Sequence, residues 1–137
     1  MKYLPIILLL FLSAITGAAN AQYEVTVVVP KVKSIKGTMM VCLVAEKSEY
    51  LKDCYKGAQT KVISAENTTT FTDVPGGEYA VTIFHDKNED EKLNTNFIGI
   101  PKEPYGFSNN PMAMFGPPSY EKCLFTVDKD VTITVKL

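Results

Sequence analysis

Apolar and polar residues alternate with a period of two over several short runs, and turn-forming residues separate these runs, a pattern that predicts strands rather than helices. Seven strands are expected: Tyr23 to Val29, Thr38 to Ala45, Thr60 to Ala65, Thr68 to Val74, Glu78 to His85, Tyr120 to Val127 and Val131 to Leu137. In the fifth, Tyr79, Val81 and Ile83 alternate with Ala80, Thr82 and Phe84; in the last, Val131, Ile133, Val135 and Leu137 alternate with Thr and Lys. One face of each can line a core. Pro75-Gly76-Gly77 supplies the fixed and positive φ angles of a tight turn before the fifth strand, and Asp128-Lys129-Asp130 should close a hairpin between the last two. The expected fold is all-β: a single seven-stranded β-sandwich, better matched to this pattern than a barrel.

Two segments break the alternation. Glu46 to Gly57 is expected to form one helical turn begun by Ser48, with Tyr50 and Leu51 as lids on the core. Asp86 to Pro118 shows no sustained period and is rich in Asn, Gly and Pro. A loop that long is either functional or disordered. Disordered linkers are poor in large apolar groups, whereas this one carries Leu93, Phe97, Ile98, Ile100, Tyr105, Phe107, Met112, Met114 and Phe115. An ordered loop folded down onto the sandwich is expected.

The amino terminus, MKYLPIILLLFLSAITGAANAQ, has one Lys, an apolar run from Leu4 to about Ile15, and Ala19-Asn20-Ala21. This is the pattern of a secretory signal peptide, residues 1–21, cleaved before Gln22. A dozen apolar residues are too few to cross a hydrocarbon core of ~30 Å. The expected product is one domain, 22–137, secreted or periplasmic, with no membrane span after cleavage. It holds 13 Lys, 15 acidic residues and no Arg. Without the guanidinium fork that reads phosphate and guanine, nucleic acid is excluded as an expected partner.

In an oxidising compartment three cysteines give one disulfide and one spare thiol. The sequence leaves the pairing open. Cys42 lies in the apolar run MMVCLVA, Cys54 in a loop and Cys123 at the start of a late strand, and this placement favours Cys54 with Cys123.

The stretch HDKNEDEKLNTN spaces oxygen-bearing side chains at alternate positions. Ca²⁺ takes six to eight oxygens, and a loop with ligands at positions one, three, five, seven and nine can wrap it. Asp86, Asn88, Asp90, the Lys92 carbonyl and Asn94 would fill these, with Leu93 anchoring the loop to the core. Glu91 stands at position six, where such loops place Gly, and Phe97 at position twelve, so a helix-loop-helix hand is excluded; Glu103 could supply the missing carboxylate. The competing reading is a solvated turn whose side chains bond their own backbone.

The run PGGEYAVTIFHDKNEDEKLNTNFIGIPKEPYGFSNN, followed by FGPPSYEKCLF, resembles the secreted bacterial family known as domain of unknown function 2141. The specific elements are His-Asp-x-Asn, Leu-x-Thr-Asn, Gly-Ile-Pro-Lys-Glu-x-Tyr-Gly-Phe-Ser-Asn and Gly-Pro-Pro-Ser. The resemblance extends from VTVVV to the final ITVKL and implies an immunoglobulin-like or transthyretin-like β-sandwich, without implying a reaction. Where that family often reads Asn-Gly-Lys-Leu-Asp, this chain has Asp90-Glu91-Lys92-Leu93-Asn94, without the Gly and one carboxylate.

The favoured expectation is a non-catalytic module whose long loop meets an envelope glycan or protein. His85, Tyr105, Phe107, Ser108, Asn109 and Asn110 are the candidate ligand-contacting residues. The alternatives are a small secreted hydrolase using His85, the only histidine, with Ser108 as its nucleophile, and a structural part of an envelope assembly.

Overall fold

The computed structural model describes residues 20–137, so the expected signal peptide lies almost wholly outside the described residues. The chain is nearly all β. Its elements are β1 (Gln22–Val29), β2 (Thr38–Val44), β3 (Lys56–Lys61), β4 (Asn67–Pro75), β5 (Gly77–Asp86), β6 (Tyr105–Phe107), α1 (Tyr120–Cys123), β7 (Phe125–Val127) and β8 (Val131–Thr134). β4, β1 and β8 form one sheet in that order. β3, β2, β5 and β6 form the other, with β7 also paired to β5.

Alternation places the core between these sheets. Val25, Val27 and Val29 of β1 and Phe71 of β4 meet Met39, Val41 and Leu43 of β2 and Tyr79, Val81 and Ile83 of β5 in one buried cluster. Each β-branched or large apolar side chain stands on the inward face of its pleat, and the next residue points away. In β4 the inward set Asn67, Thr69, Phe71 would lose phase before Val74. Pairing with β1 shifts register there, between Tyr23 and Val25, and Asp73 takes φ 55°. The extra residue of this bulge returns Val74 to the core. The left-handed residue of this region is thus Asp73, not a glycine of Pro75-Gly76-Gly77 as expected.

Several other expectations need correction. β3 lies earlier than the predicted Thr60–Ala65, because its lysine-flanked sequence KGAQTK pairs with β2 as an edge strand. Glu46 to Gly57 forms turns but no helix. The helical turn falls instead at Tyr120–Cys123, after Pro117-Pro118-Ser119, and shortens the predicted sixth strand to Phe125–Val127. β7 and β8 make no hairpin: β7 pairs antiparallel with β5, while β8 crosses to the other sheet and runs parallel to β1. The long loop contains a strand beyond the seven expected, β6. The disulfide joins Cys42 to Cys54, not Cys54 to Cys123. Cys42 alternates with inward-facing Val41 and Leu43, so its sulfur emerges on the outer face of β2, where the turn carrying Cys54 lies over it. Cys123 is buried and free, beside Val44 and Ala80.

Two close approaches require glycine. At Gly37, φ 73°, a Cβ would stand 2.3 Å from the Asp86 carbonyl oxygen. At Gly106 in β6 it would stand 2.5 Å from the Lys136 carbonyl oxygen. No described helix is long and apolar enough to cross a membrane.

A candidate ligand-binding trough

Several residues of β2, β5 and β6 that point away from the core are also apolar. Met40 of β2, Phe84 of β5 and Tyr105 and Phe107 of β6 line a trough of about 530 Å³ on the outer face of the larger sheet. β6 pairs with β5 so that Phe107 stands opposite Thr82 and Tyr105 opposite Phe84. The rings of Tyr105 and Phe107 lie 5.9 Å apart, edge to face. Leu51 walls one side, held by a left-handed turn (φ 62°) that the Cys42–Cys54 disulfide ties to the strand beneath. Leu93, from the long loop, also lines it, and is therefore a rim residue rather than the core anchor expected. An outer sheet face this apolar, concave and of this volume has the character of a ligand site.

Beside the trough, and sharing Met40 and Gln59 with it, lies a polar hollow bounded by Thr38, Lys61, Asp86, Glu89 and Glu91. Glu89 and Glu91 both have positive φ, 59° and 60°. This backbone turns their carboxylates toward β3, where Glu89 pairs with Lys61 and Glu91 accepts from Gln59 Nε2 at 3.4 Å. The Lys61 ammonium holds the Glu89 carboxyl below its ordinary range.

The alternate residues of the same loop point inward to each other. Asn88 Nδ2 donates to Asp90 Oδ2 at 3.3 Å and to Asn94 Oδ1 at 3.2 Å, and Asn94 Nδ2 donates to Asp90 Oδ2 at 2.8 Å. These bonds, the Asn94 amide foremost, lower the Asp90 pKa. Asp86, 1% exposed, accepts from the backbone N–H of Asp90 and Glu91. Glu103 accepts from the N–H of Lys87 and Asn94. The expected calcium ligands are thus partly gathered: Asn88, Asp90 and Asn94 meet, while Asp86 and Glu103 serve loop amides. Among the described residues no three Asp, Glu, His or Cys side chains converge as a metal-holding group, and no buried side-chain oxygen or nitrogen lacks a partner.

Four other predicted site residues, His85, Ser108, Asn109 and Asn110, make hydrogen bonds within the fold. His85, 1% exposed, bonds the Lys36 carbonyl through Nε2 at 2.6 Å. Ser108 is fully buried four positions back along β5: its Oγ accepts from Val81 N–H at 2.9 Å and donates to the Cys123 carbonyl. Four strand residues span roughly 13 Å, so Ser108 and His85 do not form a nucleophile–base pair. Asn109 donates to the carbonyls of Lys122 and Leu124, and Asn110 bonds Thr134 and Lys136 in the manner of a strand partner. Of the six residues singled out as ligand contacts, only Tyr105 and Phe107 face the trough.

The expectation that the apolar residues of the long loop fold down also fails for its tips. Phe97 is 99% exposed and Phe115 95%, with Met112 and Met114 similarly open. What orders the loop is polar: Asn96 Oδ1, for example, accepts from both Ile98 and Ile100 N–H. Met40, Phe84, Leu51 and the disulfide were missed as trough residues. The signal was present in MMVCLVA, where inward Met39, Val41 and Leu43 imply outward Met40 and Cys42.

Fold and site define a nearly all-β protein of two sheets with an apolar trough on the outer face of one. Residues 27–134 match the family described as uncharacterized protein conserved in bacteria (DUF2141), and the chain belongs to it. No match was found among curated proteins or among solved structures.

Proposed function

We propose that the chain is a non-catalytic binding module, an immunoglobulin-like or transthyretin-like sandwich of the cell envelope, and that its trough receives an apolar ligand or an apolar group of an envelope glycan or protein. The observation that carries this reading is the outward row Met40, Phe84, Tyr105 and Phe107, half-buried or exposed along the trough while the opposite face of the same strands is fully packed. Uncovered apolar surface bounded by walls is costly to keep unless something occupies it. The test is titration with a neutral fluorescent probe, 1-N-phenylnaphthylamine. Tyr105→Ala and Phe84→Ala should weaken its binding several-fold with little change in melting temperature. Unchanged probe binding in both variants, or lost stability alone, would reduce the aromatic row to a structural plug.

A second reading gives the front of the long loop a divalent cation. Its support is the left-handed backbone of Glu91, the position at which calcium loops place Gly. Extracellular modules bind Ca²⁺ at about 10⁻⁴ to 10⁻³ M, so tenfold that concentration should add ~1.4 kcal/mol. A melting temperature indifferent to millimolar Ca²⁺ and to chelator retires this reading.

A further inference from the structure

The trough adjoins the polar hollow on the same sheet face. At Met40 and Gln59 it opens into the hollow bounded by Glu89 and Glu91, and the two compartments together carry four carboxylates, Asp53, Asp86, Glu89 and Glu91, against two ammonium groups, Lys52 and Lys61. These charges differ in availability. Asp86 is buried and spent on backbone N–H groups, Asp53 caps its neighbour's N–H, and Glu89 is paired with Lys61. Glu91 keeps only a 3.4 Å bond from the Gln59 amide and is exposed, so it is the carboxylate with capacity for a further donor.

We propose that the trough and hollow together bind one small amphiphilic amine, its apolar body on Met40, Phe84, Tyr105 and Phe107 and its ammonium at Glu91 beside the Glu89–Lys61 pair. The proposal rests on the trough being a binding site and adds the charge of its ligand. Three features on the molecule argue for a cation. The hollow beside the apolar floor carries three carboxylates, Asp86, Glu89 and Glu91, against one ammonium, Lys61; aromatic rings such as those of Tyr105 and Phe107 attract ammonium groups at their faces; and the positive-φ residues Glu89 and Glu91 both stand on the wall of that hollow. A concave volume of about 530 Å³ suits a small molecule.

The experiment uses the full chain from Gln22 and three naphthalenes of one shape: 1-naphthylmethylammonium, the neutral 1-naphthylmethanol and the anion 1-naphthylacetate. The ammonium should bind about threefold to fivefold tighter than the alcohol, the range of an exposed ion pair, and the acetate weakest. Glu91→Gln, or high salt, should erase the ammonium's advantage and leave the alcohol's affinity unchanged. Glu91 is exposed, so this variant folds as the parent does. Equal binding of all three, or an unaltered preference in Glu91→Gln, would overturn the cation while leaving the trough as an apolar site. Binding of a Lys-Phe dipeptide amide without binding of the free amine would overturn it in favour of a protein partner. Binding of none would remove the trough reading as well.

Discussion

The two halves of the long excursion after β5 are held in opposite ways. From Asp86 to Pro104 the clamps are mostly local: Asp86, Asp90, Asn96 and Glu103 accept from N–H groups of the same loop. From Tyr105 to Asn110 they are distant: Ser108 reaches β5 and Cys123, Asn109 reaches α1 and the residue after it, and Asn110 reaches β8 and the tail beyond it. A local clamp gives a loop its shape, whereas a distant one joins parts of the fold. The front half should therefore be adjustable without loss of the protein, and the rear half should not.

The strongest break of this contrast is Ser108→Ala. It leaves Val81 N–H and the Cys123 carbonyl unpaired in a fully buried place, at about 1–3 kcal/mol each before any relaxation. We expect about 2–3 kcal/mol lost in urea unfolding. Asp86→Ala should cost about 1 kcal/mol, because water can reach part of the loop it holds, with amide exchange faster across Lys87 to Asn94 and unchanged in the strands. Equal global losses from the two substitutions would dissolve the contrast.

The halves should also part in pH. Beside the rear clamp, Tyr50, Tyr120 and Cys123 share one cluster, and burial raises the pKa of each above its ordinary value of 10.0, 10.0 and 9.0 respectively. Their neutral forms are favoured by folding, so this contribution is whole below about pH 9 and is lost as the pH climbs through the unfolded and then the raised folded values. Tyr50→Phe should flatten the alkaline limb of the stability curve. In the front half, Glu89 and Asp90 are lowered from 4.5 and 3.8, by the Lys61 and Asn94 bonds respectively. Their contribution is present above those ordinary values and fades as pH falls through the lowered ones, so the loop should loosen at acid pH before the core does. Exchange measured at pH 3 and at pH 10 separates the two.

The smallest effect is a gain. Glu91 sits at φ 60°, where a side chain is strained and glycine is not. Glu91→Gly should raise stability by a few tenths of a kcal/mol up to about 1, net of the added chain entropy. A destabilised variant would show that the Glu91 carboxylate matters more than its backbone.

Most strands were legible because β1, β5 and β8 display their core face as alternating apolar residues, which the period-two pattern reads directly. β3 was displaced because an edge strand reading KGAQTK carries no such signal. β6 was hidden by brevity and by Gly106, whose missing side chain is required by the tail passing over it. The disulfide could not be paired by spacing, since the decisive fact is which face of β2 carries Cys42. At the site, the aromatic pair was found because large apolar residues in a polar loop are conspicuous. The serine and asparagines beside it misled for a physical reason: a side chain suited to ligand hydrogen bonds is equally suited to standing in for a missing strand partner.

One feature of the smaller sheet bears on how the molecule comes into being. β1, the first strand, lies between β4 and β8, and its parallel neighbour is the last strand made. A ribosome delivers the amino end first, so that sheet stays one strand short until the final residues emerge. Registering the two ends also requires closing nearly the whole chain, an entropic hurdle that slows assembly. Until then β1 offers an open edge to any other newly made chain, and a helper that shields nascent strands would find its use there.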